Sequence, residues 1–250
     1  TLSPDGQTIA FVRKTMVANQ PAKYELFTAP AAGGAPKLLI AKTAAGNMDA
    51  FAPSWSWDST RIAFVCTPPP VGVEPRGYLV NSGNLCLIDA TGRNFRQITG
   101  RWLPGGWFAY NAAKIFPPVW EGDWLIFGGT EYADLSFDRP PVACVDTLCV
   151  YDIRNNDMFP LDSDVPSPAT GEVADMPISV NGRLFYRYTA PTGDTVLRFI
   201  DGLDYNCNAP PGQPCNWDHV KPYTSYLGRA CPGAANARPP FAHSMVVFDA

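Results

Sequence analysis

Seven cysteines are the residues of this chain best placed to do covalent chemistry: Cys66, Cys86, Cys144, Cys149, Cys207, Cys215 and Cys231. None forms a C-x-x-C pair, so thiolate zinc and covalent haem sites are poorly supported. Two histidines, His219 and His243, are too few for a histidine metal centre and have no motif-matched Ser or Cys partner. Disulfides account better for the cysteines and imply an oxidising compartment. The spacing predicts Cys66–Cys86, closing the loop 67–85, then Cys144–Cys149 and Cys207–Cys215. Cys231 is left over, to pair elsewhere or to displace Cys207 as the partner of Cys215.

Asp204, Asn206 and Asn208 place side-chain oxygens at i, i+2 and i+4, the start of a calcium loop. That loop also needs Gly at its sixth position and Glu at its twelfth, where this chain has Ala209 and Cys215. Calcium is therefore a weak candidate beside a polar loop pinned by cysteines, and no other cofactor is indicated. Trp102, Trp107, Phe108, Tyr110, Trp120 and Trp124 form an aromatic-dense span. Exposed, Trp102, Trp107 and Tyr110 would stack on a carbohydrate or anchor a peptide; buried, such residues fill space between sheets. There is no G-x-S-x-G nucleophile elbow and no Gly-rich phosphate loop, so no catalytic residue is assigned.

The elements that must position these residues are short strands. Residues 53–66 read as a strand, a polar turn at Trp57-Asp58-Ser59-Thr60, and a β-branched and aromatic strand, Ile62-Ala63-Phe64-Val65-Cys66. Leu85–Asp89 and Phe95–Thr99 follow, separated by Ala90-Thr91-Gly92. Twenty-six prolines and 21 glycines agree with short elements and many turns, and no stretch has helical periodicity.

This four-stranded unit recurs. Leu2–Arg13 aligns with Trp55–Cys66, matching Ser3 with Ser56, Asp5 with Asp58 and Ile9-Ala10-Phe11 with Ile62-Ala63-Phe64. In the Pro4-Asp5-Gly6 turn, Pro presets φ, Asp bonds its own backbone and Gly takes φ > 0. Because these aspartates recur from copy to copy, they read as turn formers, whereas a catalytic acid is needed once. Further copies place second strands at Trp124–Phe127 and Leu184–Tyr186. Third strands ending in aspartate recur at Asp89, Asp152, Asp201 and Asp249, roughly 50 to 60 residues apart. The copies span about 1–41, 52–100, 117–162 and 175–201, with a partial fifth at 241–250 after a long insertion, 202–240, that lacks a strand pattern. Residues 179–182 read as a turn, and 101–116 and 128–144 as loops. The pattern begins after the first strand of copy one and stops at the third strand of copy five, which predicts a segment of a longer chain, or outermost blades that are incomplete or completed by a partner.

Ser-Pro-Asp-Gly-x-x-Ile-Ala-Phe, then an aliphatic strand ending in Asp-Ala-x-Gly, then Arg-Gln-Ile-Thr, resembles the TolB-type, WD40-like β-propeller repeat. The resemblance is carried by 2–13 and 53–99 and implies an all-β propeller of four-stranded antiparallel blades, 1–250 forming one propeller domain or part of a larger one. Similar blades occur in periplasmic TolB proteins, in the propeller domains of prolyl-oligopeptidase-like peptidases and in cell-surface proteins.

Charge excludes one class of partner. The formal net charge is −4 with a pI near 5.1, and no basic stripe exists for nucleic acid. No apolar run reaches the ~18 residues of a membrane-spanning helix. The sequence thus favours a non-catalytic scaffold in the periplasm or at the cell surface with a protein partner. The alternatives are the propeller domain of a larger prolyl-oligopeptidase-like serine peptidase and a carbohydrate-binding propeller.

Overall fold

The structure, a computed structural model, describes residues 1–16, 18, 23–40, 49–67, 82–99, 101–103, 107–109, 113–114, 116–129, 132–133, 142–143, 147–161, 171–180, 183–201 and 223–229. Among these there is no helix. Every large sheet is an antiparallel meander, as short β-branched strands between Gly, Pro and Asp turns dictate.

The first sheet runs β1 (Thr8–Thr15), β2 (Lys23–Pro30), β3 (Lys37–Leu38). The second has β4 (Asp49–Trp55), β5 (Arg61–Thr67), β6 (Ser82–Asp89) and β7 (Arg96–Gln97) in sequence order. The hairpin β8 (Arg101–Leu103)–β9 (Trp107–Ala109) follows, and β10 (Ala113–Lys114) then pairs back onto the start of β6. The third sheet is β11 (Val119–Glu121), β12 (Trp124–Gly128), β15 (Leu148–Asp152) and β16 (Asp157–Pro160). Between its second and third strands sits the hairpin β13 (Tyr132–Ala133)–β14 (Val142–Ala143). The fourth sheet is β17 (Val173–Val180), β18 (Arg183–Thr189), β19 (Thr195–Asp201) and β20 (Tyr223–Arg229).

Three expectations are corrected. The 202–240 insertion is not without strands: β20 pairs with β19 and completes the fourth sheet. Residues 179 and 180 are strand, since the β17–β18 ladder runs on to pair them with Leu184 and Arg183. The loops 101–116 and 128–144 carry their own two-stranded hairpins. The partial fifth copy lies outside the described residues.

Sheets pack face to face in chain order, and the pleat decides which side chain goes where. On β5, Ile62, Phe64 and Cys66 join Ala10, Leu26, Trp55 and Ile88 in the core shared with the first sheet. Their neighbours Ala63 and Val65 point the other way, into a core with Leu125, Phe127, Cys149 and Tyr151 of the third sheet. Trp124, Ile126 and Val150 then meet Ala174, Leu184 and Tyr186 of the fourth. A central strand between two apolar layers has no polar face, which explains runs such as Ile-Ala-Phe-Val. Ile62, Leu125 and Leu184 occupy the same place, each the second residue of its strand or close to it, each 0% exposed and each facing the preceding sheet. Ile9 has the same register but is 37% exposed, since no described sheet precedes it. This succession of meanders is a β-propeller arrangement, with the described sheets as its blades.

One close approach fixes a glycine. A Cβ at Gly83 would lie 2.7 Å from the Cys66 carbonyl oxygen and 2.7 Å from Val65 Cγ1, so only Gly lets β6 run against β5 there.

Cys66 and Cys86 are bonded, with Cα atoms 5.9 Å apart. They are not directly opposed: Cys66 faces Asn84 and Cys86 faces Phe64, so the bridge runs diagonally across the β5–β6 ladder. The link closes 20 residues of sequence and lies in the core between the first two blades. Replacing both cysteines by Ala should lower stability by ~3 kcal/mol on the chain-entropy model. Thermal unfolding of the double variant against the oxidised protein checks this, and unchanged melting would refute it.

Candidate functional site

Two surfaces are built by repetition and are therefore the places where this chain presents chemistry. One is the rim of turns between first and second strands. Ser3 Oγ donates to Asp5 Oδ1 at 2.5 Å and accepts from the Thr8 amide at 2.9 Å. Ser56 does the same with Asp58 at 2.6 Å and the Arg61 amide at 2.9 Å. Gly6 takes φ 71°, and Ser59 fills the matching position at φ 60° with its hydroxyl free to accept the Asp5 amide at 3.1 Å, tying one blade's turn to the next. These aspartates form turns, as their recurrence implies.

At Asp58 burial opposes ionisation, but hydrogen bonds from Ser56 and Thr60 and the charge of Arg61 outweigh it and hold the carboxyl below its usual value. A depressed carboxylate stabilises the fold above its unfolded pKa, about 3.9, and loses that contribution as pH falls through the folded value. Asp58→Asn should therefore lower stability at neutral pH, where the ionised carboxylate contributes fully, and converge on the parent below about pH 4, so that the acid limb of the stability–pH curve flattens. Denaturant midpoints across that range check it; a parallel acid limb in the variant would contradict it.

The second surface is the inner edge, where first strands of successive blades converge. Trp120 Nε1 donates to the Ser54 carbonyl at 3.2 Å, and Trp55 Nε1 to the Thr1 carbonyl at 3.3 Å. Trp55 and Trp120 are matching residues, opposite Ile62 and Leu125 respectively. In the fourth blade that position is Ser179, opposite Leu184, and its hydroxyl donates to Glu121. Two residues before each stands a proline: Pro53, Pro118 and Pro177. In the second and fourth blades the residue before it is a non-glycine in the left-handed region, Ala52 at φ 49° and Met176 at φ 53°. Both lie in register shifts, Phe51/Ser54 and Asp175/Ile178. Repeated bulges and prolines on edge strands block further strand pairing.

Side chains around this edge are mostly structural. Arg187 reaches Asp175 at 2.7 and 2.8 Å and lies 5.7 Å from the Phe116 ring. Arg61 lies over Trp120 at 5.2 Å and meets Asp123 at 3.5 Å, and Arg154 also pairs with Asp123. Among the described residues no group of three or more His, Cys, Asp or Glu could hold a metal. The edge is built from prolines and from indole–carbonyl hydrogen bonds between successive blades, and among the described residues it contains no nucleophile–base pair.

The sequence-predicted site residues divide cleanly. Cys66 and Cys86 are joined as expected. Cys149 is in a disulfide, while Cys144, its expected partner, lies outside the described residues. Cys207, Cys215, Cys231, Asp204, Asn206 and Asn208 lie outside them too, as does Tyr110. Trp102 and Trp107 are strand residues of β8 and β9, with side chains outside the described part. Trp124 is buried and meets Phe159 edge-on at 5.9 Å, and Trp120 is engaged between blades, so these two fill inter-blade space. The proline-bulge landmark was missed by sequence reading; its signal was a proline two residues before the Trp/Trp/Ser position.

No protein-family profile matches this chain, and no curated protein matches it. Solved structures do. A Mycobacterium tuberculosis puromycin-hydrolyzing peptidase is 14% identical over 91% of this chain and 28% of its own, with a TM-score of 0.52. A puromycin hydrolase is 14% identical over 80% and 26%, TM-score 0.48, and the tricorn protease 10% identical over 91% and 22%, TM-score 0.44. The chain thus spans about a quarter of the length of these proteins. The likeness to the first is one of fold, and it agrees with what the packing of the four sheets already establishes: this chain is a run of propeller blades.

Proposed function

We propose that these residues are propeller blades, of TolB type, from a larger prolyl-oligopeptidase-like serine peptidase, and that they select or admit peptide substrate while catalytic residues lie elsewhere in the protein. The observation that carries this reading is the likeness to the M. tuberculosis peptidase, which takes in 91% of this chain but 28% of that one. The inner edge fits the role: its bulges and prolines would let an extended chain pass without capturing it as an extra strand. The reading places the scaffold function favoured by sequence second. Buried and bonded cysteines support an extracytoplasmic setting, periplasmic or at the cell surface. No helix of the described residues is long and apolar enough to cross a membrane.

The natural full-length protein should hydrolyse aminoacyl or short peptidyl amides and react with a fluorophosphonate probe at one serine outside residues 1–250. Neither turnover nor labelling across such a panel would overturn the peptidase reading and return the scaffold to first place.

A further inference from the structure

We propose that residues 113–121 act as a strap that couples blades two and four through blade three, so that loosening the strap at one blade loosens its hold on the other. Anything seated on the inner edge against Phe116 or Arg187 would then also tighten the outer slot of blade two, since coupling between sites is reciprocal.

The strap starts in an outer slot and ends in an inner one. Two different strands line the outer side of β6. β7 pairs Arg96 and Gln97 with Leu87 and Cys86, and β10 pairs Ala113 and Lys114 with Gly83 and Ser82. Only the four residues 115–118 then separate β10 from β11, the first strand of blade three. The corresponding approaches to β4 and β17 take ten and twelve residues, 39–48 and 161–172. The few Cα steps from Lys114 to Val119 reach at most roughly 17 Å, and Pro117-Pro118 stiffens the second half of the connection. Such a link has little slack in which to absorb a movement of either end.

Contacts to the two neighbouring blades alternate along this run. On the blade-four side, the Arg187 guanidinium lies 5.7 Å from the centre of the Phe116 ring. Two hydrogen bonds to Asp175, at 2.7 and 2.8 Å, fix that guanidinium in turn. Glu121 accepts from Ser179, also in blade four. On the blade-two side, the β10–β6 pairing is joined by the Trp120 indole, whose Nε1 donates to the Ser54 carbonyl at 3.2 Å. Arg61 lies over the same indole at 5.2 Å. Val119–Glu121 are meanwhile paired with β12, which ties the strap to blade three. The blade-two anchor has little give. Gly83, opposite Ala113, sits so close to β5 that a Cβ there would lie 2.7 Å from the Cys66 carbonyl oxygen. A shift of the strap is therefore met by loss of β10–β6 pairing, because packed interfaces rearrange in steps rather than deform smoothly.

Hydrogen exchange on the natural full-length protein reads both ends of the strap at once. Phe116→Ala should speed exchange several-fold around Asp175 and Arg187 in blade four and at Gly83–Leu85 in blade two. Ala10–Val12 and Leu26–Thr28 of blade one should keep their protection. Phe116→Leu keeps apolar bulk without the aromatic face; it should move the same two places less, and it serves if the alanine variant does not fold. Ala113→Pro/Lys114→Pro removes both β10 amides and should speed exchange around Asp175 and Arg187, although β10 pairs in blade two. Faster exchange at one end of the strap only, an equal rise in blade one, or no change in any variant would overturn the coupling.

Discussion

Phe127→Ala should cost ~3–5 kcal/mol, enough to unfold much of a domain of ordinary stability. Phe127 is 1% exposed and sits in the core between the second and third blades with Leu125, Cys149, Tyr151 and Val65. Neighbouring β-ladders are hydrogen-bonded on both sides of β12, so the backbone cannot collapse into the cavity left by the ring. Phe64 holds the matching position one blade earlier, 0% exposed, between the first and second blades. Phe64→Ala should therefore cost a similar amount. The two rings belong to different cores, so the double variant should lose the sum of the single effects within ~0.5 kcal/mol. Urea unfolding of the single and double variants measures both statements. A loss below ~1.5 kcal/mol at either site, or strong non-additivity, would mean that the blades do not bury separate interfaces as described.

That independence is also why so much of the fold was legible in the sequence. Ile-Ala-Phe-Val at 62–65 and Leu-Ile-Phe at 125–127 are apolar on consecutive residues, which a strand sandwiched between two blades requires and a one-sided strand does not. The Ser-x-Asp turns were legible because their mechanism is local: hydroxyl, carboxylate and amide lie within a few residues. What was not legible depends on distant partners. β20, Tyr-Thr-Ser-Tyr-Leu-Gly-Arg, follows a 21-residue excursion, and its place is set by pairing with β19 rather than by its own pattern. The bulges at Ala52 and Met176 put non-glycine residues at positive φ, against local preference, and only comparison of first strands shows that the following proline recurs. The inter-blade role of Trp120 within the aromatic-dense span depends on its indole's partner, the Ser54 carbonyl, 66 residues away. The inner edge was thus the least legible part of the chain, since every feature that defines it is a relation between blades.

Arg187→Met should be nearly as damaging as the loss of a core ring, for an electrostatic reason. Asp175 is 6% exposed at its side chain and accepts two guanidinium hydrogen bonds, at 2.7 and 2.8 Å, from Arg187 directly across the β17–β18 ladder. Removing Arg187 takes two charge-assisted hydrogen bonds from the buried Asp175 carboxylate, a loss approaching the ~3–5 kcal/mol of a broken buried pair, whereas replacing both with apolar groups of similar size is often close to neutral. Arg187→Met alone should therefore destabilise strongly, and Asp175→Leu added to it should recover most of the loss. The recovery separates charge from packing: Met keeps most of the aliphatic length of Arg187, so a purely steric role would predict little loss in the single variant and further loss in the double. Asp175 also lies at the bulge of the inner edge, one residue before Met176 at φ 53°. If the ion pair holds that strained backbone in place, the double variant will regain stability but not the inner-edge geometry. In the full-length peptidase proposed above, that variant should then melt near the parent temperature while its KM for peptide amides rises and kcat changes less. Restored stability with unaltered KM would confine Arg187 and Asp175 to holding the fourth blade together.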